Sequence, residues 1–164
     1  MAQMDGWSKA MYESLKPTLE IIHQIQIKLK ERNDEAINIR GEIVTTSIDL
    51  DEAIEEILLK RYIIKERHVE ISNNLFNDEG CSSFLKLKVL NRSGLIEEYD
   101  GLKKKIQTLY EIRNLVAHSK YFPTVETVQL LHKDGIKDIQ TMKKTFYELF
   151  GEVIPILEAV SKKL

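Results

Sequence analysis

The chain has 164 residues, of which 43% are hydrophobic and 30% charged, enough apolar material for one core and enough charge for a soluble surface, which excludes disorder as a global description. Seven Gly and three Pro leave few places for tight turns, so long helices are expected. The net charge of −2 excludes polyanion binding by bulk positive charge, and a single Cys, Cys81, excludes an intrachain disulfide and points to a reducing compartment.

A first helix is predicted from about Trp7 to about Arg32, with Met11, Leu15, Ile22, Ile25 and Leu29 as its apolar stripe and Pro17 as an early break or kink. Asp34 is the expected N-cap of a second helix, Glu35 to about Lys65, whose stripe passes through Ile39, Ile43, Leu50, Ile54 and Ile57. Ser72 to Gly80 reads as a loop by composition. A short helix follows, capped by Ser82 or Ser83, carrying Phe84, Leu87, Val89 and Leu90, and closed by Gly94 in a left-handed conformation. The fourth helix runs from about Ile96 to Ser119 and ends before Pro123. Thr124 to Leu131 alternates enough for a short strand or extended arm. The last helix, Ile136 to about Lys162, has Ile139, Met142, Phe146, Leu149, Val153, Leu157 and Val160 at three-four spacing, with Pro155 as a kink. The expected fold is one all-α domain over residues 1–164, a bundle of four long helices plus one short one.

One residue spoils the seam of the fourth helix. Leu95, Tyr99, Leu102, Ile106, Leu109 and Val116 form a three-four stripe, and Arg113 stands between the last two. A guanidinium in an apolar stripe needs a partner or a use, because an unpaired buried charge costs several kcal/mol or more. Two readings compete on equal terms: an ion pair with Glu42, Asp49 or Asp51, or a functional cation. Asn114 is adjacent and His118 follows it by one turn, on the same side of the helix. Arg, Asn and His within six residues supply an anion holder, an orienter and an acid-base group.

RNA cleavage fits these groups without a metal or an activated Ser or Cys. The 2′-hydroxyl is the nucleophile, so the protein has only to move a proton and stabilise the phosphorane, which Arg does bidentately. Residues 81–120 contain eight Lys/Arg against four acids, a local +4 that leaves −6 for the rest of the chain. Lys103, Lys104, Lys105 and Lys120 are the candidate RNA contacts in this stretch. At about 100° per residue, Arg113 and His118 project about 140° apart, so one helix does not aim both at one phosphate. Two helices packed in a twofold homodimer would do so.

The string Arg113-Asn114-Leu115-Val116-Ala117-His118 resembles the Arg-Asn-x-x-x-His signature of HEPN domains. Arg40-Gly41, the run Ile48 to Ile54, Leu75-Phe76, the run Ser82 to Leu90, and Gly94-Leu95-Ile96 look like the mannitol-repressor-like branch, so the similarity covers about Arg40 to Tyr121. The resemblance implies a dimerising all-α bundle with a metal-independent endoribonuclease site at the meeting of two motifs. Arg113 and His118 would be the catalytic pair and Asn114 the assistant, and no cofactor or metal is implied. Such proteins are commonly toxins, abortive-infection effectors or other defence nucleases, which brings in an antitoxin or regulatory protein as a partner. The branch also contains members resembling regulators, so a non-catalytic helical regulator or interaction module is the competing function, and RNA binding without turnover is a third. Where some HEPN toxins carry a modifiable Tyr two residues after the His, this chain has Lys120, with Tyr121 next.

His23, His68 and His132 have no ligand partners at recognisable spacing and read as surface or interface residues. The first sixteen residues carry Asp5, Lys9, Glu13 and Lys16 in place of an apolar stretch, and no window approaches about 18 uninterrupted apolar residues. A cytoplasmic protein without a membrane partner is expected.

Overall fold

Only Gly6, Pro17 and Gly41 interrupt the first sixty residues as potential breakers, and the chain uses this freedom to build one helix, α1 (Gly6–Tyr62), of 57 residues. A computed structural model describes the backbone of residues 6–76, 81–118 and 139–164, and the side chains of 11–76, 81–117 and 139–164. The described residues are all-α, with no strand among them. After α1 come a 3₁₀ turn (Lys65–Arg67), the one-turn α2 (His68–Ile71) and a π-type turn (Ser72–Phe76). The longer helices α3 (Ser83–Arg92), α4 (Leu102–His118) and α5 (Ile139–Lys162) follow.

Three boundaries differ from expectation. The predicted first and second helices are one, and Asp34 lies inside it instead of capping a new one. Asn and Asp each cost well under about 1 kcal/mol in a helix interior, too little to end one when no Gly or Pro stands beside them and apolar residues continue at seven-residue intervals through Leu29, Ala36 and Ile43. The helix also passes through Pro17 without ending. The segment read as a loop from Ser72 is helical as far as Phe76. The fourth helix begins at Leu102 and not at Ile96, because Gly101, at φ +70°, adopts a left-handed conformation that an α-helix cannot contain. The expected arm at 124–131 lies outside the described residues.

Other local signals act as read. Ser82 caps α3, its Oγ accepting the Leu85 N–H at 3.3 Å, and Gly94, at φ +75°, turns the chain after α3.

The chain divides into two compact units, Met1–Asn38 and Ile39–Leu164. In the first, every described side chain from Met11 to Glu35 is exposed. The second holds the hydrophobic core: Ile43, Leu50, Ile54 and Ile57 of α1, Leu90 of α3, Ile106, Leu109 and Ile112 of α4, and Phe146, Val153 and Leu157 of α5 are all fully buried. α4 packs against both α3 and α5. Polar ties surround this core. Lys143 of α5 pairs with Glu42 of α1 at 2.6 Å, and Lys105 of α4 with Glu152 of α5 at 2.7 Å. Ser161 near the end of α5 donates to Glu56 at 2.7 Å while its Oγ accepts from Lys60 at 2.8 Å.

Candidate functional site

α4 carries the motif because its apolar positions leave it no choice of orientation. Leu102, Ile106, Leu109, Ile112 and Val116 are all 1% exposed or less, which turns those faces inward and leaves Arg113 and Asn114 at the border of the core. Arg113 is half-buried, and its Nη1 donates to Asn114 Oδ1 at 3.2 Å. Asn114 therefore restrains the guanidinium from the neighbouring position.

The acids that would make Arg113 an ordinary ion pair are engaged elsewhere or exposed. Glu42 holds Lys143, Asp49 is exposed, and Asp51 receives two hydroxyl donors. Among the described residues, the only hydrogen bond or ion pair of the Arg113 side chain is the one to Asn114. His118 is the last residue of α4 and its side chain lies outside the described residues, as does Lys120.

One turn before Arg113 stands a network that the sequence reading missed. Tyr110 is 1% exposed, and its Oη donates to Asp51 Oδ1 at 2.6 Å. Ser83 Oγ donates to Asp51 Oδ2 at 2.9 Å. One carboxylate on α1 thus ties the start of α3 to the middle of α4. Burial first, and then the Asp51 charge, push the Tyr110 phenol far above its ordinary pKa of 10, so Tyr110 stays a donor and is no proton acceptor at neutral pH. A Tyr on the inner side of a helix has an oxygen to satisfy, which was a usable signal, but the sequence did not say which acid would face it. Tyr110→Phe is expected to cost about 1.5–3 kcal/mol, the usual worth of a hydrogen bond to a charged group, read as a shift in urea midpoint at unchanged slope.

The four lysines are distributed unequally. Lys103 and Lys104 are exposed, whereas Lys105 is half-buried and tied to Glu152. Lys103 precedes Asn114 by eleven residues, so it lies on nearly the same side of α4, about 16 Å along the axis. Lys104 precedes Arg113 by nine residues and faces away from it.

A separate cleft of about 490 Å³ lies along α1, lined by Ile48, Asp51, Glu52, Glu55, Glu56, Leu59, Ser72 and Lys86. Four carboxylates there repel phosphate, and three of them already serve internal partners: Asp51 with Tyr110 and Ser83, Glu55 with Lys86, Glu56 with Lys60 and Ser161. His68 also has a local role, one ring nitrogen lying 2.9 Å from the Ile63 carbonyl oxygen. Among the described residues no group of three or more His, Cys, Asp or Glu side chains is placed to hold a metal ion, and no helix is long and apolar enough to cross a membrane.

No protein-family model, curated protein or solved structure matches this chain.

Proposed function

We propose that this protein is a metal-independent endoribonuclease of the HEPN type, a cytoplasmic toxin or defence effector whose site combines Arg113 of one protomer with Asn114 and His118 of its partner in a homodimer. The observation that carries this reading is the Arg113 guanidinium: it sits half-buried at the edge of an apolar seam, restrained by Asn114, with no carboxylate paired to it among the described residues. A cation held in this way is suited to an anion from outside the chain, and a phosphodiester presents the matching oxygens.

In the proposed reaction the 2′-oxygen attacks phosphorus and the bond to the 5′-oxygen breaks. His118 takes the 2′-hydroxyl proton or returns one to the departing 5′-oxygen. Arg113 offsets the extra negative charge of the phosphorane, and the adjacent Asn114 of its own protomer keeps the guanidinium oriented. The products are a 2′,3′-cyclic phosphate and a 5′-hydroxyl, and no cofactor takes part. Lys103 and Lys104 are the contacts available to flanking phosphates, with Lys120 proposed alongside them, while Lys105 is already paired. An antitoxin or other regulatory protein would restrain such an activity.

The test is cleavage of a labelled RNA in excess EDTA, with the ends identified. Cyclic phosphate ends are expected, and a requirement for Mg²⁺ rejects the proposal. A second reading draws on the Tyr110–Asp51–Ser83 network, which ties three helices together one turn from the motif. It makes the motif an ordering element of a non-catalytic regulator, in which Arg113→Ala lowers stability and dimerisation and no RNA is cut at any protein concentration.

A further inference from the structure

Side-chain contacts fix how the helices of the second unit run past one another. Glu42 and Thr46 of α1 meet Lys143 and Tyr147 of α5, and Glu56 meets Ser161, so α1 and α5 are parallel. Lys105 of α4 meets Glu152 of α5, while Lys163, just past the end of α5, meets Glu98, just before α4, so α4 is antiparallel to both. Asp51 of α1 bonds Tyr110 of α4, which sets their register. Going back along α1 from Asp51 is therefore going forward along α4, from Tyr110 to Arg113, Asn114 and His118.

Arg40 precedes Asp51 by eleven residues, which is three helical turns and about 20°, so it stands on the side of α1 that Asp51 turns towards α4. Val44 and Ser47 continue that row, Val44 packed against the core and Ser47 2% exposed, so the row faces the bundle at this level. Along the axis Arg40 is about 16 Å from Asp51, against about 12 Å from Tyr110 to His118, which puts it within about one turn of the end of α4. The short helix α3 does not cover this stretch. It starts beside Asp51 through Ser83, and its next contact, Lys86 with Glu55, lies farther from Arg40. Arg40 is half-buried and its Nε wholly so, which holds the base of the guanidinium against the bundle.

Two half-buried guanidiniums, Arg40 and Arg113, thus border adjoining helices at the end of the bundle that carries His118. A nuclease must hold the strand beside the bond that it cuts, and phosphate contacts do this. We propose that Arg40 binds the RNA phosphate next to the scissile one, on the side of its own protomer's His118; this rests on the ribonuclease reading of Arg113 and His118. Neighbouring helix axes lie about 8–10 Å apart, so Arg40 stands across a gap from His118 and about 5 Å beyond it, a place suited to a neighbouring phosphate. Arg40 is a binding residue in this arrangement and takes no part in bond breaking.

The test is equilibrium binding of a labelled single-stranded RNA with methylated 2′-oxygens, which cannot be cut, to the full chain over a range of salt. Arg40→Gln and Arg40→Met are each expected to weaken binding about tenfold and to lower the salt slope by about 0.7, the share of one phosphate on a single strand. Arg40→Lys is expected to keep the slope. Arg61→Gln removes the same charge from an exposed position about 30 Å farther along α1 and is expected to change neither. With cleavable RNA in EDTA, Arg40→Gln is expected to raise KM about tenfold and to leave kcat within about twofold. The proposal is overturned if Arg40→Gln keeps the parent's affinity and slope, if Arg61→Gln loses as much, if kcat falls at unchanged KM, or if the parent does not bind this RNA. It is also overturned if Arg40→Gln and Arg40→Met both lose cooperative melting, which makes Arg40 a folding residue. A parent that cuts RNA while Arg40→Gln binds normally removes the contact and leaves the ribonuclease. A parent that binds RNA through Arg40 but cuts none removes the ribonuclease and leaves the contact.

Discussion

His118→Ala is expected to lower RNA cleavage about 10²- to 10⁴-fold, the range that one positioned acid-base group contributes, while the melting midpoint moves little. The change falls on the last residue of α4, beyond the buried turns that anchor the helix through Leu109, Ile112 and Val116. Arg113 separates charge from geometry. Arg113→Lys keeps one positive charge but loses the planar fork that pairs two phosphate oxygens, so its residual activity is expected to fall between that of the parent and that of Arg113→Ala. The measurement is the single-turnover rate on a labelled RNA in EDTA, with melting curves of each variant. Cleavage that survives His118→Ala removes the ribonuclease assignment. Activity lost together with cooperative melting would make the motif structural.

The second large effect concerns stability. Lys86 of α3 is 6% exposed and pairs with Glu55 of α1, whose side chain is 14% exposed, and the ammonium also lies 5.7 Å from the centre of the Phe76 ring. Taking two ions out of water is costly, and the pair recovers this only while both partners are present. Lys86→Met strands the Glu55 carboxylate and is expected to cost about 3–5 kcal/mol, with the lower end favoured because Glu55 also lines the cleft along α1. Replacing both, Glu55→Leu with Lys86→Met, is expected to recover most of that loss. Urea titrations of the two single variants and the double variant measure the coupling directly. A cost below about 1 kcal/mol for Lys86→Met would mean that water in the cleft already screens the pair.

These two sites were unequally legible. Arg113, Asn114 and His118 stood out because a charge inside a three-four stripe is visible in one dimension. Lys86 did not, since it falls between Leu85 and Leu87 in a short helix where a charged residue normally faces solvent. Tyr110 was overlooked for a related reason. The stripe of α4 was traced through Leu109 and Val116, but the buried face is wide enough to take Tyr110 and Ile112 as well, because α4 packs against helices on more than one side.

Taken alone, the sequence determined the helical class, the α1 stripe from Ile39 to Ile57, the seam of α5, part of the buried face of α4, a serine cap at Ser82 or Ser83 and the Gly94 turn. Each of these follows from interactions within a few residues, through the helical period, a cap three residues away or a backbone freed of Cβ. Tertiary structure decided which charges have partners. Asp51 meets Tyr110 across 59 positions, Lys105 meets Glu152 across 47, and Glu42 is held by Lys143, so two of the three acids considered for Arg113, Asp51 and Glu42, have other partners. Ion pairs form between groups that the packing of apolar faces happens to bring within a few ångströms, and no spacing along the chain encodes that distance.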